Sequence, residues 1–302
     1  MKTKAILYIV IAGVLWGTSG LFSHYLRPYG FSALHMTAVR ATVSFLFMAV
    51  FVLIRNRKLF RAKPASLPLY AGIGVSVFFT AALYFSAMEL TSVSTAVVLM
   101  YSSPIYVMLF SVLFLKERFT PLKAVCIGCM LVGCVFVSGV IGGLTFHPVG
   151  ILLGVLSGIA YAAYNILTKI AMERRHEPLT VNVYSFACMS LVALAVCKPV
   201  GIVTNAAKSP AVTVPLLIGL GVVTFIMPYF LFTQAMKELP AGIASTLSIV
   251  EPMAATVFSI LILHEKPTVF SVIGIVLILL AVFLIGLTER IQEKKEQHHD
   301  QV

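Results

Sequence analysis

Residues 241–266 read AGIASTLSIVEPMAATVFSILILHEK, and this stretch decides the fold. Its apolar run, Ala241–Leu263, is 23 residues long, which is enough for a helix to cross a bilayer. Glu251 lies near its middle and is followed at once by Pro252. A carboxylate at that depth costs about 2.5–3.5 kcal/mol, and the proline removes a helical donor, which predicts unpaired carbonyls near Ser248. A charge beside a broken helix is expected in a solute pathway, although a packed bundle can also pair such a glutamate internally.

A second copy of this stretch lies 148 residues earlier in the chain. Without gaps, residues 87–120 align with residues 235–268, and 11 of the 34 positions are identical. The identical pairs include Ala87/Ala235, Pro104/Pro252, Phe110/Phe258, Ser111/Ser259, Glu117/Glu265 and Thr120/Thr268. A shorter match relates residues 13–17 to residues 154–158. The chain is therefore predicted to be an internal duplication.

The composition is that of a membrane protein. Of the 302 residues, 60% are hydrophobic and 11% are charged, whereas soluble domains carry about 25% charged residues. The net charge of +11 does not indicate nucleic-acid binding, because no basic stripe lies on a soluble face. We expect an all-α polytopic protein whose surroundings are the lipid bilayer.

Ten spans are predicted, and their flanking charges orient them. The spans are 5–24, 32–54, 68–88, 93–115, 121–141, 149–170, 179–197, 212–236, 241–263 and 269–287. Seventeen Lys and Arg residues lie on the side of the termini and four on the other, and Arg40, within the second span, completes the 22. Because cytoplasmic loops carry the excess of Lys and Arg, both termini are expected in the cytoplasm and the protein in the cell membrane. The N-terminal apolar run is interpreted as an uncleaved first span.

Each copy of the duplication contains five spans. Because five is odd, the second copy must insert upside down relative to the first, an arrangement typical of secondary transporters. We predict a first five-helix repeat at 1–141, a second at 142–288 and a charged cytoplasmic tail at 289–302.

Six polar residues are candidates for substrate binding because they lie well inside the predicted spans. They are Tyr84, Tyr101, Tyr161, Asn165, Ser248 and Glu251. A polar side chain in hydrocarbon needs a partner or a wet cavity, and aromatic faces accept apolar groups and cations. With Trp16 and Tyr229, the tyrosines are expected to line one cavity. The alternative is that tyrosines form belts at the membrane interfaces, which suits those near span ends, such as Tyr8 and Tyr25.

Two features of the first two spans bear on packing and binding. Gly13-x-x-x-Gly17 is expected to let another helix approach closely. Arg40 lies too deep for comfortable exposure to lipid. It either binds an anionic group of the substrate or has a structural role, pairing with Glu89 or Glu251 or capping carbonyls.

No residue pattern indicates an enzyme, a cofactor or a metal site. The histidines lie at span ends or in the tail, and His176-Glu177 and His264-Glu265 lack the second histidine of a zincin helix. There is no G-x-x-x-x-G-K-S/T loop for ATP. Cys126-x-x-Cys129 falls inside a predicted span, where small thiols usually serve packing.

Several short motifs resemble a known family. They are Trp16-Gly17, Arg40, Pro104 with Leu115-Lys116-Glu117-Arg118, and Glu251-Pro252 with Leu263-His264-Glu265-Lys266. Together with the five-plus-five duplication they resemble the EamA-type ten-span proteins of the drug/metabolite transporter superfamily, over roughly residues 5–287. His264 departs from the glycine common in that family. The resemblance implies a central cavity between the halves, alternating access, and a structural role at helix ends for Glu117 and Glu265.

The resemblance also implies a function. Members move amino acids, other metabolites, nucleotide-sugars and drugs, so we expect a secondary transporter that exports amino acids or similar small metabolites. The alternatives are proton-coupled uptake or efflux of another solute or a cationic drug, and, in a different class, a non-transporting sensor or scaffold. The expected partners are a small-molecule substrate and, as candidate coupling ion, a proton. The sequence leaves the oligomeric state open.

Overall fold

The chain folds as a bundle of helices joined by short connections. A computed structural model describes residues 2–60, 62–115, 121–138, 147–197, 199–264 and 266–299, and no strand occurs in these ranges. The helices are α1 (Lys2–Gly17), α2 (Ser19–Leu26), α3 (Ala33–Arg55), α4 (Leu67–Leu90), α5 (Val93–Met100), α6 (Ser103–Phe114), α7 (Pro121–Val137), α8 (Pro148–Glu173), α9 (Pro178–Val196), α10 (Pro199–Ala206), α11 (Pro210–Gly221), α12 (Met227–Ala235), α13 (Ala241–Leu247), α14 (Val250–Ile262) and α15 (Val269–His299).

The bundle is that of a multi-pass membrane protein. Within the described ranges, eight helical segments are long and apolar enough to cross a membrane, and they coincide with eight of the ten predicted spans. The predicted spans 121–141 and 269–287 contain two shorter apolar helices, Ala124–Val137 and Val269–Ile285. Large apolar side chains also cover the outside of the bundle, where Ile54 and Leu191 are 82% and 72% exposed. Such a surface suits lipid rather than water.

Two spans are broken one turn before a proline, as the sequence predicts. The break between α5 and α6 precedes Pro104, and the break between α13 and α14 precedes Pro252. At each break a serine hydroxyl bonds a carbonyl three residues earlier, Ser102 to Leu99 and Ser248 to Ser245, both at 2.6 Å. These bonds satisfy backbone acceptors that have lost a helical donor.

The sequence predicts unpaired carbonyls near Ser248, but the carbonyl of Ser248 itself is paired. This carbonyl accepts a hydrogen bond from the Glu251 amide at 3.0 Å. The tighter turn brings that donor one residue closer along the chain than in a regular α-helix. The break therefore redirects the chain while leaving the Ser248 carbonyl satisfied.

Helices of the first half pack mainly on helices of the second half, and the contacts occur in matched pairs. Helix α1 packs on α12 and α14, and in the same way α8 packs on α4 and on α5 with α6. Helix α4 packs on α9 as α11 packs on α3, while α3 meets α9 and α7 meets α15. The side chains of Thr42 and Ser190 share a hydrogen bond of 2.8 Å, and they are 148 residues apart, the offset of the sequence repeat. Contact between equivalent residues is expected where an axis relates two repeats.

Glycines allow the closest of these approaches. A β-carbon at Gly17 would lie 2.8 Å from the β-carbon of Ala254, and one at Gly158 would lie 2.9 Å from the Leu99 carbonyl oxygen. The glycine pair of the first span therefore packs against α14, which confirms the predicted packing role. Its counterpart in α8 packs against α5.

Candidate functional site

A cavity of about 860 Å³ lies at the centre of the bundle. It extends from Trp16, in the middle of the first span, to the exposed residues His24 and Arg27 at the end of α2. Met88 near the end of α4 and Leu263 just after α14 also line it. The cavity therefore opens at the end of the bundle where α2, α4 and α14 terminate.

The two broken spans meet at the inner end of the cavity. Tyr101 directly follows α5 and Glu251 lies in the first turn of α14, so each break places a polar side chain on the cavity wall. The Tyr101 hydroxyl lies beside the Glu251 carboxylate, yet this buried hydroxyl makes no hydrogen bond of standard geometry within the described residues. The positive end of the α14 dipole also favours a negative charge at this position.

The structure brings four of the six predicted site residues to the cavity. Tyr84, Tyr101, Tyr161 and Glu251 line it, together with Trp16 and Tyr229, so the expected aromatic cavity is confirmed. Whether these residues bind substrate stays a prediction.

Asn165 and Ser248 are fully buried and are not among the lining residues. Both side chains lie next to the Tyr161 hydroxyl, and Asn165 donates to the Tyr161 carbonyl at 2.7 Å. They are thus buried neighbours of a residue that lines the cavity. Their substrate contact also stays a prediction.

Sequence reasoning missed several lining residues, and one group of them carried a signal. Thr256 and Ser259 lie on the same face of α14 as Pro252, at i+4 and i+7 spacing, and all three line the cavity. Phe225 also lines it, from a short π-helical segment, Val222–Ile226, between α11 and α12. An apolar ring in an apolar span carries no comparable sequence signal.

Arg40 lines the same cavity and does not pair with either predicted carboxylate. The ion pairs between described residues are Lys169–Glu173 and Lys237–Glu177, and Glu89 is exposed. The Arg40 guanidinium donates to Thr37 Oγ1 at 3.4 Å and lies over the Phe225 ring, 5.4 Å from its centroid.

Arg40 Nε is buried and has no hydrogen-bond partner in the described part of the chain. Glu251 lies within electrostatic range of Arg40, although the two form no ion pair. Whether Arg40 is structural or binds substrate stays a prediction.

The opposite end of the bundle is closed by polar contacts between the halves. Tyr70, near the start of α4, shares a hydrogen bond with Nδ1 of His176, which lies between α8 and α9. The Tyr184 hydroxyl donates to the Phe60 carbonyl at 2.7 Å, and Thr180 donates to the Leu59 carbonyl at 2.9 Å. The rings of Tyr70 and Tyr184 stack with centroids 5.7 Å apart. We call these contacts the closed end.

The environment of His176 at the closed end favours its neutral form, since its pKa is lowered. Burial, and secondarily the positive charges of Arg174 and Lys63, lower the pKa of His176 below its usual value of 6.5. The neutral ring can accept a hydrogen bond at Nδ1, whereas a protonated ring only donates. Acidification is therefore expected to weaken this contact.

Glu117 and Glu265, which the family resemblance places at helix ends, lie outside the residues that the structure describes. Within the described ranges, no group of three or more His, Cys, Asp or Glu side chains is arranged to hold a metal ion. The five cysteines are free thiols.

Comparison with known proteins gives consistent matches over most of the chain. The model of the EamA-like transporter family matches twice, at residues 3–139 and 148–287. An uncharacterized transporter of Archaeoglobus fulgidus is 30% identical, over 91% of this chain and 94% of its own length. The uncharacterized transporter YwfM of Bacillus subtilis is 25% identical over 97% of both chains, and the uncharacterized inner membrane transporter YicL of Salmonella typhimurium is 26% identical over 95% and 96%.

A protein crystal structure with 21% sequence identity has the same fold. The TM-score is 0.78, and the match covers 96% of this chain and 98% of the other. At this identity the likeness concerns the fold alone.

Proposed function

Because the chain belongs to the EamA-like transporter family, we propose that it is a secondary transporter that exports amino acids or similar small metabolites across the cell membrane by alternating access. The observation that carries the proposal is a cavity that opens at one end of the bundle and stops at its middle, with a closed end beyond. A pathway open to one side at a time is what alternating access requires.

We further propose that the ten helical segments are membrane spans arranged as two inverted five-helix repeats. The matched packing of the halves and the Thr42–Ser190 contact support a pseudo-two-fold relation. With both termini in the cytoplasm, the cavity opens to the outside and the closed end faces the cytoplasm.

The transition to the opposite state would break the closed-end contacts. The polar stripe Tyr161, Asn165 and Thr168 on α8 would then come into contact with water from the cytoplasmic side. Buried oxygen atoms of Asn165 and Thr168 have no hydrogen-bond partner within the described residues in the present state. Exposure to water in the other state would satisfy them. Substrate would be released at the cavity mouth in the state described here.

The proposal is tested by solute flux through the purified protein in proteoliposomes. Amino acids, nucleosides, sugars and cationic drugs are loaded in turn, and saturable exit that depends on the protein is measured. Saturable exit of one class supports transport of that class. Absence of protein-dependent flux for every class would contradict the proposed function.

A second candidate, proton-coupled transport, is favoured by Glu251. This carboxylate faces the cavity and lies beside a tyrosine hydroxyl that makes no standard hydrogen bond, so it can exchange a proton with water in the cavity. Flux driven by a pH gradient in the wild type, and its loss in Glu251→Gln, would support coupling. Flux unaffected by the gradient in both proteins would refute it.

A further inference from the structure

Two opposite charges line the central cavity without forming an ion pair. Arg40 extends from α3 and Glu251 from α14, and each remains partly exposed to the cavity although it lies deep in the bundle. Two buried charges that only stabilise each other are expected in direct contact with further hydrogen bonds, because an unpaired buried charge is costly. The two groups lie within electrostatic range of each other without forming an ion pair, so a ligand that carries both charges can contact both.

Each of the two charged groups has unused hydrogen-bonding capacity. A guanidinium carries five N–H donors, and within the described residues Arg40 uses one of them, at 3.4 Å to Thr37, while its Nε has no partner. The Glu251 carboxylate lies beside the Tyr101 hydroxyl, which makes no hydrogen bond of standard geometry in the described part of the chain. Donors on one wall and acceptors on the other are therefore open to a ligand.

Aromatic side chains line the cavity together with the two charged groups. Tyr84 and Tyr229 each interact electrostatically with both Arg40 and Glu251, so both tyrosines lie within range of both charges. Phe225 lies against the guanidinium. The cavity lining thus combines a positive group, a negative group and aromatic rings.

We propose that this space binds a zwitterionic α-amino acid, with the substrate carboxylate on Arg40 and the substrate ammonium on Glu251. One such molecule neutralises both charges, and its planar carboxylate matches the two-pronged guanidinium. A solute with a single charge leaves one buried charge unpaired, and a neutral solute leaves both. An apolar substrate side chain packs against the aromatic walls.

This inference rests on the proposed transport function and assigns its substrate class to named residues. It also explains why Arg40 and Glu251 come from different repeats. A substrate held by both charges bridges the two halves of the protein at the point where they must move.

The test compares amino-acid derivatives on the intact protein. A binding screen of the twenty amino acids with purified full-length protein in detergent selects the tightest parent compound. Its amide, which lacks the carboxylate, and its N-acetyl form, which lacks the ammonium, are then measured. Because each removed group loses one charge-assisted contact, each derivative is expected to bind about ten- to a hundredfold more weakly than the parent.

Two variants assign the contacts. In Arg40→Gln the parent and its amide should bind equally, and in Glu251→Gln the parent and its N-acetyl form should bind equally. Lys58→Gln and Glu89→Gln remove one exposed charge each and should keep the wild-type selectivity. Folding of each variant is checked by size-exclusion chromatography, and if Arg40→Gln does not fold, the derivative series on the wild type decides.

The inference is overturned if the derivatives bind the wild type as tightly as the parent, or if no amino acid binds at millimolar concentration. Saturable flux of another solute class would then leave the transporter intact and remove only the zwitterion site. Absence of flux for every class would remove the proposed function itself.

Discussion

Replacing Gly74 with alanine should destabilise the protein strongly, because α4 and α9 are closest at this residue. A β-carbon at Gly74 would lie 2.2 Å from the Ser185 carbonyl oxygen and 3.1 Å from the Met189 amide nitrogen. Ordinary contact begins at 3.4 Å, so the helices would have to separate by about 1.2 Å. Both obstacles are backbone atoms, which cannot move aside by changing a rotamer.

The free energy of unfolding of Gly74→Ala is expected to fall by about 3 kcal/mol, the upper end of the range for overpacked cores. A helix separation of this size also weakens the dispersion contacts along the interface. The ratio of folded to unfolded protein should therefore fall about a hundredfold.

Gly72→Ala is the matched control on the same helix. Its β-carbon would meet only Cδ1 of Leu167, at 3.3 Å, the end of a flexible side chain. We expect the free energy of unfolding of Gly72→Ala to differ from that of the wild type by no more than about 1 kcal/mol, since alanine also favours the helix.

Trp16 is the single tryptophan and is 6% exposed, so its fluorescence reports unfolding. The assay is a denaturant titration of both variants in mixed micelles. Equal stability of Gly74→Ala and Gly72→Ala would refute the close approach of α4 and α9.

Three further predictions use the same assay. Lys169→Met should lower the free energy of unfolding by about 1.5–3 kcal/mol, because the Lys169 ammonium donates to two carbonyls at 3.0 and 3.2 Å. Lys237→Met loses an exposed ion pair at 3.8 Å and should lower it by less than about 1 kcal/mol. Equal losses in the two variants would contradict the capping role of Lys169. A double-mutant cycle with Thr42→Val and Ser190→Ala should show a coupling of about 1 kcal/mol, and no coupling would argue against their hydrogen bond. Because the pKa of His176 is lowered in the folded protein, the unfolded chain binds a proton at this residue more readily. The contribution of His176 to stability is therefore complete above about pH 6.5 and is lost as the pH falls. His176→Asn should remove that part of the pH dependence of stability, and an unchanged pH profile would contradict this role of His176.

Helix breaks and the aromatic cavity could be predicted from the sequence because their signals are local. A proline after a polar residue in an apolar run specifies where a helix breaks, whatever its neighbours are. Tyrosines deep in spans need a wet or polar environment, which is why Tyr101 and Tyr161 could be predicted to lie at a cavity. The repeat also predicts that the break before Pro252 has a counterpart before Pro104.

The absence of an ion pair between Arg40 and Glu251, and the burial of the candidate site residues Asn165 and Ser248, could not be predicted in the same way. Span depth places Arg40 and Glu251 at similar levels, but whether they touch depends on how α3 and α14 are rotated and spaced. Asn165 shares a helix face with Tyr161, and it is nevertheless fully buried and absent from the cavity lining, whereas Tyr161 belongs to it. Depth and periodicity cannot resolve which of two residues on one face is nearer to open space.

The sequence by itself determined the membrane class, the duplication and the approximate spans, since these depend on hydropathy and on residue identity along the chain. Only the tertiary structure decided which end of the bundle is closed. The contact of Tyr70 with His176 joins residues 106 positions apart, and packing between the halves decides whether they meet. The alternating access proposed above requires that the same sequence allow both the closed and the open arrangement of this pair. Packing of the helices therefore decides which arrangement the structure shows.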